Sequence, residues 1–125
     1  QIAALAALTD PSCDAVVAGM HAAFTRRREM MLAGLALLPG VDTFVPDGAF
    51  YLFVDVSRHL GPGTDFSDDL ALATWLLEQE LVATVPGTAF GTPGFLRISY
   101  ATDDDSLREG LGRLQRAFAG LPSGR

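Results

Sequence analysis

The 125-residue chain contains no lysine: all nine basic residues counted as Lys plus Arg are arginines, at positions 26, 27, 28, 58, 97, 108, 113, 116 and 125. No side-chain amine is therefore available to condense with a carbonyl, and imine chemistry cannot run on a side chain of these residues. Cysteine is nearly absent as well. Cys13 stands alone and excludes an internal disulfide. The two histidines, His21 and His59, have no Cys or His nearby, so no metal-site spacing exists and no metal is expected. Both read most simply as surface or helix-end residues. The apolar stretches are interrupted well short of the roughly 20 residues a membrane span needs, and no charged segment precedes an apolar one at the start. Positive charge is also scarce. With 9 basic against 15 acidic residues and a net charge of -6, the chain lacks the basic surface that nucleic-acid or anionic-membrane binding requires. The expectation is a cytoplasmic protein with neither partner. No internal repeat, low-complexity tract or second domain is visible.

Of the residues present, 49% are hydrophobic and 19% charged, enough to bury one core and build one domain. Residues 1–8 read as a helix interrupted by Thr9-Asp10-Pro11. Asp10 as cap and Pro11 as first helical residue start a second helix. Its apolar stripe runs Val17, Met20, Phe24, Met31, Leu35 and Leu38, and Pro39-Gly40 ends it. Spanning 11–38, this helix would be about 42 Å long, against a diameter of roughly 36 Å for a compact chain of this size. It should overhang its own domain, leaving the half from Val17 to Phe24 in need of apolar partners elsewhere. Arg26, Arg27 and Arg28 in its middle read as a solvated face before a phosphate site.

Residues 41–44 fit a short strand, and 49–56 a buried one, near-continuously apolar. Gly61-Pro62-Gly63 marks a loop. A helix then opens with Ser67 as cap, drawing apolar contacts from Leu70, Leu72, Trp75, Leu76 and Leu77. Trp75 reads as a core anchor. Residues 81–85 and 95–100 form two strands of an antiparallel hairpin. The last helix covers about 103–119, capped by Thr102 or Asp103, with Leu107, Leu111, Leu114 and Phe118 on one face. Asp103, Asp104 and Asp105 favour the positive end of its dipole and need no catalytic explanation. The organisation is a helical region over 1–40, sheet and helices over 41–119, and a tail over 120–125. The fold class is an α/β (α+β) sandwich, a small, mostly antiparallel sheet packed by helices on one face.

Arg97 is the most informative residue. Leu96, Ile98 and Tyr100 alternate onto a core face of the last strand, leaving Phe95, Arg97 and Ser99 on the other. A planar, permanently charged fork there suits a carboxylate gripped by two parallel hydrogen bonds. Strand geometry alone favours a plainer account, an arginine on a solvated sheet face or paired with a neighbouring aspartate.

Three further blocks bear on that choice: Pro46-Asp-Gly-Ala-Phe-Tyr-Leu-Phe53, Val85-Pro-Gly-Thr-Ala-Phe-Gly91 and Gly94-Phe-Leu-Arg-Ile-Ser-Tyr-Ala101. With Phe24, Arg27, Arg28 and Glu29 on the preceding helix, they resemble, in order, the C-terminal part of class I/II pyridoxal-phosphate-dependent aminotransferases, particularly the bacterial aspartate aminotransferase branch. The resemblance covers nearly the whole chain. It implies the small domain of the fold type I architecture, with Arg97 binding the α-carboxylate of an amino-acid substrate. Phe50, Tyr51 and Phe90 would line the cleft, although as aromatics in strands and loops they also suit a core. Gly87, Gly91 and Gly94 would let the backbone turn sharply at its mouth.

The resemblance also implies pyridoxal 5'-phosphate in the full-length enzyme, linked to a lysine this chain lacks. No catalytic or cofactor-binding residue is therefore assigned here. The chain begins at Gln1 without Met and reads as a fragment, inactive alone, whose partners are the large cofactor-binding domain of the same polypeptide, a second subunit of a homodimer, and amino acid and 2-oxo acid substrates. Substrate selectivity in the family rests largely on upstream residues and on the partner subunit. Two alternatives share these features. One is another fold type I protein, a β-lyase or an aminotransferase-like regulator; the other is a stand-alone regulatory domain that binds an amino acid through Arg97.

Overall fold

The computed structural model describes residues 1–122. Helix α1 (Ile2–Thr9) buries no side chain, and an 82° bend separates it from α2 (Ser12–Leu35). The bend is where the sequence placed it. Asp10 Oδ1 accepts the Ser12 N–H at 2.9 Å, so the cap lies on Asp10 while the helix starts one residue past Pro11, as helix ends commonly shift. At the other end the chain leaves the helix at Leu35 and turns toward Gly40, whose φ of 69° needs glycine. At 24 residues α2 is about 36 Å long, no longer than the globule, so length alone does not force an overhang. Burial nonetheless divides it. Met31 and Leu35 are buried, as is Leu38 just beyond, whereas Val17 and Met20 are 60% and 55% exposed. Among the described residues no single helix is long and apolar enough to cross a membrane.

Four strands follow as one antiparallel sheet in the order β1-β2-β4-β3: β1 (Asp42–Thr43), β2 (Tyr51–Asp55), β3 (Val85–Pro86) and β4 (Phe95–Ser99). Helices α3 (Asp69–Glu80) and α4 (Asp104–Gly120) complete the chain. Leu52 pairs with Ile98 and Val54 with Leu96, which puts all four on one face, where they are buried with Leu72 and Leu76 of α3 and Leu107, Leu111, Leu114 and Phe118 of α4. This is the expected fold. The opposite face, Tyr51, Phe53, Asp55, Phe95 and Arg97, is only half-buried. The 49–56 run is thus shorter than expected and buried on one face instead of both. Ala49 has a φ of 62°, which breaks the extended backbone before Tyr51.

Other differences have local causes. The 81–85 strand shrinks to Val85–Pro86 because Leu81 turns left-handed at φ 55° to close α3, with the Val82 N–H on the Leu76 carbonyl at 3.0 Å. The strand at 41–44 is likewise only Asp42–Thr43. Asp68 caps α3 in place of Ser67, accepting the Ala71 N–H at 2.8 Å, and the Ser67 hydroxyl donates to Asp68. Leu70 and Leu77 point to solvent, and Trp75 is half-buried with its ring 5.4 Å from Phe66. His59 is not a surface residue. It is 1% exposed, with Nε2 2.7 Å from the Pro39 carbonyl and Nδ1 3.2 Å from that of Pro122, partners distant in sequence. Helix α4 runs through Gly120, so the expected tail begins later, and its last residues, 123–125, lie outside those described.

The arginine triplet is only partly a solvated face: Arg26 is 61% exposed, whereas Arg27 and Arg28 are half-buried. Arg27 Nε and Arg26 Nη2 grip the two oxygens of Asp104 at 2.7 and 3.1 Å, tying α2 to the first turn of α4, while Arg28 donates to the Pro46 carbonyl at 3.3 Å. These hydrogen bonds, from Arg27 first, hold the Asp104 carboxyl below its ordinary range. Asp103 is the cap of α4. It accepts the N–H and hydroxyl of Ser106 at 2.9 and 2.7 Å, and these bonds lower its pKa to about 2. A carboxylate with a depressed folded-state pKa stabilises fully above the unfolded value of about 3.9 and loses that contribution as pH falls through the folded one. Thermal unfolding at pH 6 should therefore separate wild type from Asp103→Ala, and the gap should close between pH 4 and pH 2.

Candidate functional site

Arg97 sits at the centre of the open sheet face, opposite Phe53 on β2 and Val85 on β3. Its guanidinium carbon lies 4.4 Å from the centre of the Tyr51 ring and 4.6 Å from that of Phe90, a cation held between two aromatic faces. Such contacts restrain the fork without using its N–H donors. Among the described residues Arg97 has no ion pair, although five other arginines do. The nearest candidate by register, Asp55 on the same face, has its Oδ1 on the Ser57 N–H at 2.9 Å. Of the plainer account, the pairing with a neighbouring aspartate is not formed among the described residues, while the half-buried guanidinium still meets solvent on this sheet face.

Two of the three aromatics named from sequence meet here. Tyr51 projects from β2 beside Arg97; Phe90 comes from the 3-10 turn Gly87–Phe90. Phe50 does not reach the guanidinium: it stacks on Phe24 at 6.0 Å and leans on Tyr51 at 4.5 Å, acting as a brace one ring removed. Phe53 and Phe95 stack at 5.0 Å and floor the site, with Phe53 also edge-on to Phe90 at 6.4 Å. The sequence reading left Phe53 out, though its alternation with Tyr51 was the available signal.

The turn carrying Phe90 depends on its glycines unequally. A Cβ on Gly87 would lie 2.3 Å from the Thr92 carbonyl oxygen, so only glycine fits. Gly91 and Gly94 have φ of 76° and 90° and supply the reversals on either side of Thr92-Pro93. Asp69, at the start of α3, anchors the turn from below. Its carboxylate is 1% exposed and accepts both the Thr88 N–H at 2.8 Å and the Thr88 hydroxyl at 2.7 Å. Burial pushes its pKa up, but the Thr88 hydrogen bonds, helped by the Gly94 and Leu70 N–H groups, outweigh that and leave it below the ordinary value. Nothing in sequence links positions 69 and 88.

Among the described residues the half-buried, aromatic-flanked guanidinium of Arg97 has no carboxylate partner, and comparison with known proteins gives it context. A model of the aminotransferase class I and II family matches residues 1–114. The chain belongs to that family. It is 44% identical over 118 residues to the probable aspartate/prephenate aminotransferase of Aquifex aeolicus, an alignment taking 94% of this chain and 29% of that protein. The crystal structure of the aspartate aminotransferase of Rhizobium meliloti superposes with a TM-score of 0.87 at 38% identity, covering 96% of this chain and 30% of that one. The aspartate aminotransferase of Thermus thermophilus with maleate matches at TM-score 0.76 and 40% identity, over 91% and 28%. This aminotransferase chain thus spans about three-tenths of the length of its relatives.

The family implies pyridoxal 5'-phosphate. These residues do not fit it as a covalent host, because none is a lysine. The cation at the site, Arg97, is flanked by aromatic rings instead of further phosphate donors. No step of the reaction is assigned to the cofactor through this chain.

Proposed function

We propose that residues 1–125 are the C-terminal small domain of a pyridoxal-phosphate-dependent aminotransferase that moves an amino group between an amino acid and a 2-oxo acid, and that Arg97 binds the substrate α-carboxylate. The observation that carries this reading is the guanidinium itself: oriented between Tyr51 and Phe90, half-buried, with no carboxylate of the described chain on it. Burial in an apolar frame strengthens an ion pair with an incoming carboxylate, and the planar fork fixes the carboxylate's orientation as well as its position. The maleate bound to the Thermus relative is a dicarboxylate, which fits the same chemistry.

The rest of the polypeptide would carry the cofactor, its lysine and the groups that select the substrate side chain, and would cover the exposed apolar half of α2. The intact enzyme would be a cytoplasmic homodimer. The full-length polypeptide, loaded with cofactor and given aspartate and 2-oxoglutarate, should form glutamate in a coupled assay. Failure to transfer an amino group from any member of a panel of the common amino acids would exclude an aminotransferase.

A further inference from the structure

Asp69 is a buried carboxylate for which the proposed reaction has no use. Burying a charge is costly unless it is paired and hydrogen-bonded. Its two shortest hydrogen bonds both come from Thr88, inside the turn that places Phe90 over Arg97. Phe90 is 49% exposed, so no surrounding core fixes its ring. The turn's internal hydrogen bonds, Gly91 N–H to Thr88 and Thr92 N–H to Gly87 at 3.1 and 3.0 Å, hold its shape, and the buried Gly87 seats its first residue against Phe95 of β4, which leaves the end carrying Phe90 to be held from elsewhere. Strand β3 adds little, being two residues long, one of them a proline. Asp69, by contrast, belongs to a helix rooted in the core through Leu72, Ala73 and Leu76, and its place in the first turn of α3 suits a negative charge.

We propose that Asp69 is a positioning residue for the carboxylate site: through Thr88 it sets the height of the 87–90 turn, so that Phe90 closes the far side of the Arg97 guanidinium and keeps its donors aimed outward. The proposal rests on the reading of Arg97 as the carboxylate fork. The charge on Asp69 matters because charge-assisted hydrogen bonds to one hydroxyl and one backbone N–H resist sliding of the turn better than neutral ones. Its effect on the ligand runs entirely through Phe90 and Arg97.

The test is a double-mutant cycle on the full-length polypeptide loaded with cofactor, with titration calorimetry of maleate as the readout. Asp69→Asn keeps volume and removes the charge, and should raise the maleate Kd about tenfold, equivalent to about 1.4 kcal/mol. Phe90→Leu should weaken binding by a similar factor. The pair should be no worse than Phe90→Leu alone, because a residue acting only through Phe90 has nothing left to act on. If Asp69→Asn does not fold, Thr88→Val carries the same cycle with a loss of about threefold for one hydrogen bond, and Thr88→Ser should restore wild-type affinity. An unchanged Kd in the single variants of Asp69 and Thr88, or losses that multiply in the pair, overturns the positioning role. Arg97→Ala is the control: if it binds maleate as wild type does, the carboxylate reading fails, and with it the proposal.

Discussion

Arg97→Ala in the full-length enzyme is expected to lower kcat/KM by on the order of thirty-fold to several thousand-fold. A charge-assisted pair lost from a closed cleft typically costs about 2 to 5 kcal/mol. Arg97→Lys should fall between that and wild type, because it keeps the charge but loses the fork and the flat contact with Tyr51 and Phe90. Cofactor absorbance and melting temperature should barely move in either variant, since Arg97 lies on the half-buried sheet face and touches none of the core behind Leu96 and Ile98. Steady-state kinetics with thermal melts of both variants decide the matter. Intact turnover in Arg97→Ala with a melting temperature several degrees lower would make Arg97 a structural residue and remove the basis of the proposed site.

Phe118→Ala should produce the largest loss of stability. The ring is 2% exposed at the end of α4 and meets the His59 ring edge-on at 5.0 Å. Truncating a buried Phe typically costs about 3–5 kcal/mol through lost transfer energy and the cavity left behind, a large share of the roughly 5–15 kcal/mol that holds a domain together. His59 makes this site more sensitive than an aliphatic one, because its ring also joins the Pro39 and Pro122 carbonyls and would lose its support. Urea unfolding should show a much lower midpoint for Phe118→Ala and a smaller shift for Phe118→Leu. Near-equal midpoints for all three proteins would mean that the packing around α4 collapses to fill the space.

The elements most legible in the sequence were those whose signals are local and redundant. Helix α4 has a cap, an acidic first turn and a four-residue stripe that all agree, and it was located within a residue at either end. The alternation of Leu96, Ile98 and Tyr100 against Phe95, Arg97 and Ser99 was recovered because side chains on a strand change face at every step. Residues 81–85 misled because β-branched propensity competes with helix closure, and Leu81 entered the left-handed region to finish α3. His59 misled for the opposite reason. Its partners at 39 and 122 carry no mark in the sequence, being backbone carbonyls that any residue has.

By itself the sequence determined that these residues carry no lysine amine to form an imine with a carbonyl cofactor, that they fold as one small antiparallel sheet with helices on one side, and that a cation stands on the other side in a block resembling aminotransferases. Those conclusions follow from residue identity and period, which are properties of the chain before it folds. Only the tertiary structure decided that the cation is held between Tyr51 and Phe90, that no aspartate of the described chain occupies it, and that Asp69 pins the turn beside it. Each of these depends on residues brought together from separate elements, and the energy of such a contact is set by distance and burial in space, which spacing along the chain does not encode.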